Sequence, residues 1–145
     1  MNPRERALVW LLRLCGGVLL LAALAVFLPT RWMEVSHGWL GLGTFPAYPL
    51  VDYLARSISG MYAMHGAVLI AVARDVRRFA PLVVLLAWAN VVFGATMLGI
   101  DIHAGMPGYW TLLEGPSILL VGVLYLWLAR GLQSEGATAP GGTSG

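Results

Sequence analysis

Arg56 and Glu114 are ionisable residues of opposite sign, set in two separate apolar stretches of the chain. Counting along those stretches places Arg56 about 8 Å and Glu114 about 10 Å outward of the stretch centres. A charge that deep in a membrane is costly and turns toward protein or water, so two opposite charges at one level predict a buried pair. The same pair could hold an anionic or polar headgroup. Asp52 and Asp101 lie close enough in depth to complete an outer-half polar site with them. Two local readings compete with the pair. Asp52 stands four residues before Arg56, where one helix face joins them, and Glu114 can close a capping box opened by Thr111.

His65, Asn90 and Tyr62 form a second level. Asn90 falls at the middle of its stretch and His65 about 5 Å inward of the middle of its own, with Tyr62 one turn away. Hydrogen bonds among such residues join helices in a membrane. The chemical alternatives are a proton relay, a quinone hydrogen bond or a haem ligand. Haem held by two histidines needs a second deep His, whereas His37 and His103 lie between stretches. Asp101, His103 and His37 offer ligands acceptable to zinc or copper, but solvated loop residues are the favoured reading, and no metal is assigned. The single Cys15 excludes an intramolecular disulfide and any cysteine-rich metal site. The chain has no nucleotide-binding loop, no His-Glu-x-x-His and no nucleophile–base set. No catalytic residue and no cofactor follows from it.

The elements that must position these residues are hydrophobic. Of 145 residues, 59% are hydrophobic and 11% charged, where a soluble domain carries about a quarter charged; mean hydropathy is +0.77. Four apolar stretches, residues 7–28, 50–73, 81–100 and 111–129, are each about 20 residues long, enough to cross about 30 Å of hydrocarbon. The expectation is an all-α bundle of four transmembrane helices occupying residues 1–130. Residues 131–145, rich in Gly, Ala, Ser, Thr and Pro, read as a disordered cytoplasmic tail. Arg4, Arg6, Arg13, Arg74, Arg77, Arg78 and Arg130 fall on one side of this topology, and only Arg31 and Arg56 on the other. That bias puts both termini in the cytoplasm. Net charge +2 then reflects topology and gives no reason to propose nucleic acid.

The connections follow. Residues 30–49 are aromatic and punctuated by Gly and Pro, which suits the outer interface and leaves room for a short interfacial helix over about 31–40. Residues 101–110 contain Gly105, Pro107 and Gly108 and read as an outer loop, with the fourth span starting near Thr111 and kinked by Pro116. The first span reads as an uncleaved helix, although Ala23-Leu24-Ala25 resembles a cleavage site. Ser59, Ala63, Ala67 and Ala71 recur every four residues on a face nearly opposite His65, a ladder that lets another helix approach.

The chain resembles small bacterial four-helix membrane proteins of the broad DoxX-like kind. The likeness rests on four spans with both ends inside, on Arg13-Leu14-Cys15-Gly16-Gly17, on Arg56-Ser57-Ile58-Ser59-Gly60-Met61-Tyr62, and on the Gly-Met-Pro-Gly-Tyr-Trp turn followed by Glu114-Gly115-Pro116. It implies a multi-pass protein of the bacterial inner membrane. Some DoxX-like proteins are tied to quinone-linked sulfur oxidation, but no redox motif transfers to residues of this chain. The expected function is therefore a non-enzymatic membrane protein, either an accessory subunit or a binder of a hydrophobic or lipid-like small molecule. A quinone-linked redox enzyme using His65, Tyr62 and Arg56, or a small transporter, is the alternative. Expected partners are the lipid bilayer, with a homo-oligomer or larger membrane complex.

Overall fold

A computed structural model describes residues 2–46 and 48–133. The described chain is helical, in the order α1 (Pro3–Leu20), α2 (Ala22–Phe27), α3 (Thr30–Trp39), α4 (Pro49–Val72), α5 (Ala80–Ala104) and α6 (Gly108–Gln133). Strands are absent among the described residues. Three segments are long and apolar enough to cross a membrane: Pro3–Phe27, Ala80–Ala104 and Gly108–Leu132, each of 25 residues. At 1.5 Å rise each reaches about 37 Å, more than the hydrocarbon thickness. With Trp39 90% exposed and Phe27 84% exposed, among many other large apolar side chains, these spans point to a membrane protein. α4 is nearly as long, 24 residues, but Asp52, Arg56 and His65 interrupt its hydropathy.

The helix ends have local causes. Asn2 caps α1: its Oδ1 accepts from the Glu5 amide at 2.8 Å, and Pro3 occupies the first helical position, where no donor is needed. The first span is nearly continuous. At Leu21 the amide is shared between the Gly17 and Val18 carbonyls, a single tightened turn that separates α1 from α2. Leu28, just before Pro29, is extended (φ −63°, ψ 136°), as the proline ring demands, and this ends α2. α3 then supplies a short helix where one was expected over residues 31–40.

Two sequence expectations are corrected at the α5–α6 connection. α5 continues past residue 100 and carries Asp101 and His103 in its last turn. It closes in a Schellman arrangement: Gly105 is left-handed (φ 67°), its amide donates to the Ile102 carbonyl at 3.3 Å, and Met106 donates to the Asp101 carbonyl at 3.0 Å. α6 starts at Gly108, three residues earlier than Thr111, because the Pro107 carbonyl accepts from the amides of Trp110 (2.8 Å) and Thr111 (3.1 Å). The connection between α5 and α6 is therefore short. The expected tail is also shortened, since Gly131, Leu132 and Gln133 extend α6. The rest of that expectation, residues 134–145, lies outside the described residues.

The chain divides into two units. The first contains the described residues of Met1–Trp10 and Val72–Gly145, and the second is Leu11–Ala71. In the first, α5 and α6 run antiparallel at very close approach. A Cβ on Gly94 would stand 2.5 Å from the Leu119 amide, one on Gly115 2.7 Å from the Leu98 amide, and one on Gly122 2.8 Å from the Ala87 carbonyl. Leu8, Val9, Val72, Ala73, Val76, Val83, Tyr125, Leu128 and Ala129 form a buried core at one end of this unit. In the second unit α1 and α4 cross at Gly16 and Gly66. A Cβ on Gly66 would meet the Gly16 carbonyl at 2.6 Å, so bare backbone is what permits the crossing.

Candidate functional site

Arg56 is the centre of the second unit's polar cluster. Its Nε donates to Asp52 Oδ2 at 2.8 Å and its Nη2 to Asp52 Oδ1 at 3.1 Å. This fork onto both carboxylate oxygens along one helix face is the local pairing that the i, i+4 spacing allowed. Its Nη1 reaches the Val26 carbonyl at 2.6 Å, one of the last carbonyls of α2, which have no partner within their own helix. Nη2 also approaches Thr30 Oγ1 at 3.5 Å, and that hydroxyl donates to Asp52 Oδ1 at 3.2 Å. Arg56 thus ties α4 to the α2–α3 break at Pro29. The two charged side chains remain 28% and 31% exposed. The ion pair is fixed, with every guanidinium nitrogen engaged, and is only partly enclosed.

Glu114 accepts a hydrogen bond from Trp110 Nε1, one turn earlier on α6. It does not close a capping box, because Thr111 is already inside α6 and its hydroxyl donates back to the Pro107 carbonyl at 3.4 Å. Arg56 and Glu114 lie in different units, and each is engaged within its own. Asp101 is 3% exposed, and its Oδ2 is buried without a hydrogen-bond partner. It continues the α5 stripe of Ala87, Val91, Gly94 and Leu98 that faces α6.

Of the mid-membrane residues, Asn90 donates to the Leu86 carbonyl of its own helix at 2.9 Å. His65 and Tyr62 are half-buried on α4, in the other unit. His37 pairs through Nδ1 with the Gly43 carbonyl at 3.2 Å and meets the Phe45 ring edge-on, while His103 is exposed on the last turn of α5. Among the described residues, no three His, Cys, Asp or Glu side chains gather in a way that could hold a metal ion.

A second ion pair was not anticipated from the sequence. Arg77 donates through Nε and Nη2 to the two carboxylate oxygens of Glu5 at 2.9 and 2.8 Å, and the Glu5 side chain is 5% exposed. Glu5 is the only acid before residue 34, and the topology read from the sequence put it on the same side as the Arg74–Arg78 cluster. That charge complementarity was the available signal. The chain matches no family model, no curated protein and no solved structure.

Proposed function

We propose that the chain is a four-span protein of the bacterial inner membrane, with both termini cytoplasmic and no catalytic activity, that binds a hydrophobic or lipid-like small molecule by its polar head. The fourth span is α4. Its Gly66 crossing with α1 supports this, as does the internal use of its charges, because Arg56 and Asp52 satisfy each other and a broken helix end. The observation that carries the binding role is the partial exposure of the Arg56–Asp52 ion pair. A guanidinium held rigidly in the outer half of a bilayer is preorganised for an anionic or polar headgroup, with the acyl or isoprenoid part lying along apolar helix faces. The DoxX-like likeness belongs to the same reading. Ala67 and Ala71 are exposed on α4, which supports association with a second membrane helix in a homo-oligomer or larger complex.

Topology is tested by reporter fusions at Gly41, Asp75, Gly105 and Gly136. A periplasmic signal from the Asp75 or Gly136 fusion would overturn the four-span arrangement. Binding is tested by extracting and identifying the molecules that copurify with the chain and with Arg56→Gln. One hydrophobic species retained by the unaltered chain and lost from the variant is the expected result. A haem spectrum or a stoichiometric redox-active quinone would favour the redox reading, and equal retention by both proteins would overturn the assignment of Arg56.

A further inference from the structure

Six exposed arginines of the first unit come to one end of it from three chain segments: Arg4 and Arg6 on α1, Arg74, Arg77 and Arg78 in the α4–α5 turn, and Arg130 on α6. Contacts within the unit fix this convergence. Glu5 of α1 pairs with Arg77 of the turn, the Asn2 amide donates to the Gly131 carbonyl of α6 at 3.4 Å, and a Cβ on Gly131 would touch the Arg4 side chain at 3.3 Å. Two acids share this end among the described residues, and both are occupied. Glu5 is buried under Arg77, and Asp75 Oδ1 accepts from the Arg78 amide at 3.1 Å. Two of the arginines also lie over aromatic rings, Arg4 over Trp127 at 5.4 Å and Arg78 over Phe79 at 5.6 Å. A guanidinium stacked this way keeps its N–H edge free to fork onto a phosphate, and its plane no longer has to be ordered on binding.

We propose that this end is a binding surface for anionic phospholipid headgroups, with the phosphodiester as the recognised group. A bias of arginine toward one side of a membrane accounts for where these residues sit. It does not account for guanidinium groups held against Trp127 and Phe79 while Glu5 is buried and Asp75 accepts from the Arg78 amide. Several basic side chains just outside a span attract anionic lipid additively. The surface is separate from the Arg56 cluster and does not depend on it.

The test uses the full chain in nanodiscs of phosphatidylcholine, alone or with phosphatidylglycerol, and counts by native mass spectrometry the lipids that survive delipidation. The unaltered protein should retain phosphatidylglycerol in preference to phosphatidylcholine, and raised salt should remove the preference. Each arginine removed should weaken it about fivefold, so Arg4→Gln, Arg78→Gln and Arg130→Gln together should weaken it on the order of a hundredfold. Equal retention of the two lipids, or a preference indifferent to salt, would overturn the proposal. The salt arm decides on the unaltered chain if the triple variant does not fold. Displacement of the lipid by glycerol phosphate at similar concentration would show a soluble-phosphate site and overturn the lipid assignment. Failure to enter either bilayer would overturn the membrane reading and this one with it.

Discussion

At the residue scale Asp52 and Asp101, two acids expected at similar depth, have opposite circumstances. Asp52 is partly exposed, with both its oxygens held by one edge of a guanidinium. Asp101 is buried, has an oxygen without a partner, and sits in the last turn of α5, where the helix dipole disfavours an anion. A polar oxygen buried without a partner costs stability. Asp101→Asn should therefore leave thermal stability in detergent unchanged or raise it by about 1 kcal/mol. A clear loss on that substitution would mean that Asp101 has a cationic or donor partner in the membrane. The Arg56–Asp52 contact was legible in the sequence as an i, i+4 pair. The Val26 carbonyl was not, because nothing in a residue's type announces which backbone carbonyl a helix break leaves open.

At the scale of helices, glycines decide which faces meet. The sequence pointed to the ladder of Ser59, Ala63, Ala67 and Ala71, yet the approach to α1 is made by Gly66. Spacing reveals a face of small residues, but it cannot say which neighbour's backbone will lie on it. The three helices long and apolar enough to cross a membrane were readable from hydropathy, and α3 from its aromatic and Gly/Pro content. The α5–α6 loop was misjudged because Gly105 and Gly108 read as turn residues, whereas one caps α5 and the other opens α6. Gly66→Ala would force a methyl group to 2.6 Å from the Gly16 carbonyl and to 2.8 Å from the Leu20 amide, so the helices must separate, at a cost of about 1–3 kcal/mol. Gly17→Ala is the matched control. It meets nothing within 4 Å, and the gain in helix propensity should stabilise by about 0.5–1 kcal/mol. Thermal midpoints of the two variants in detergent should move in opposite directions. If Gly66→Ala is as well tolerated as Gly17→Ala, α1 and α4 do not cross at Gly66.

For the molecule as a whole, the pair between Glu5 and Arg77 joins residues 72 positions apart, where the unit's apolar core also lies. A bundle whose long faces meet lipid gains little hydrophobic stabilisation from packing helix on helix, so a polar lock beside that core carries a larger share of the specificity. Glu5 is almost wholly enclosed, whereas Arg77 is 53% exposed, which makes the two single substitutions unequal. Arg77→Gln leaves an ionised carboxylate enclosed without its cation. Removing one partner of a fully buried pair costs about 3–5 kcal/mol, and the exposure of Arg77 reduces that toward about 2 kcal/mol. Glu5→Gln releases an arginine that water already reaches and should cost about 1 kcal/mol or less. Combining the two should recover much of the loss caused by Arg77→Gln, because the enclosed charge is gone. Thermal unfolding of the three variants against the unaltered chain measures the coupling directly. Additive losses with no recovery in the double variant would show that the pair is a surface contact and not the lock at this end of the unit.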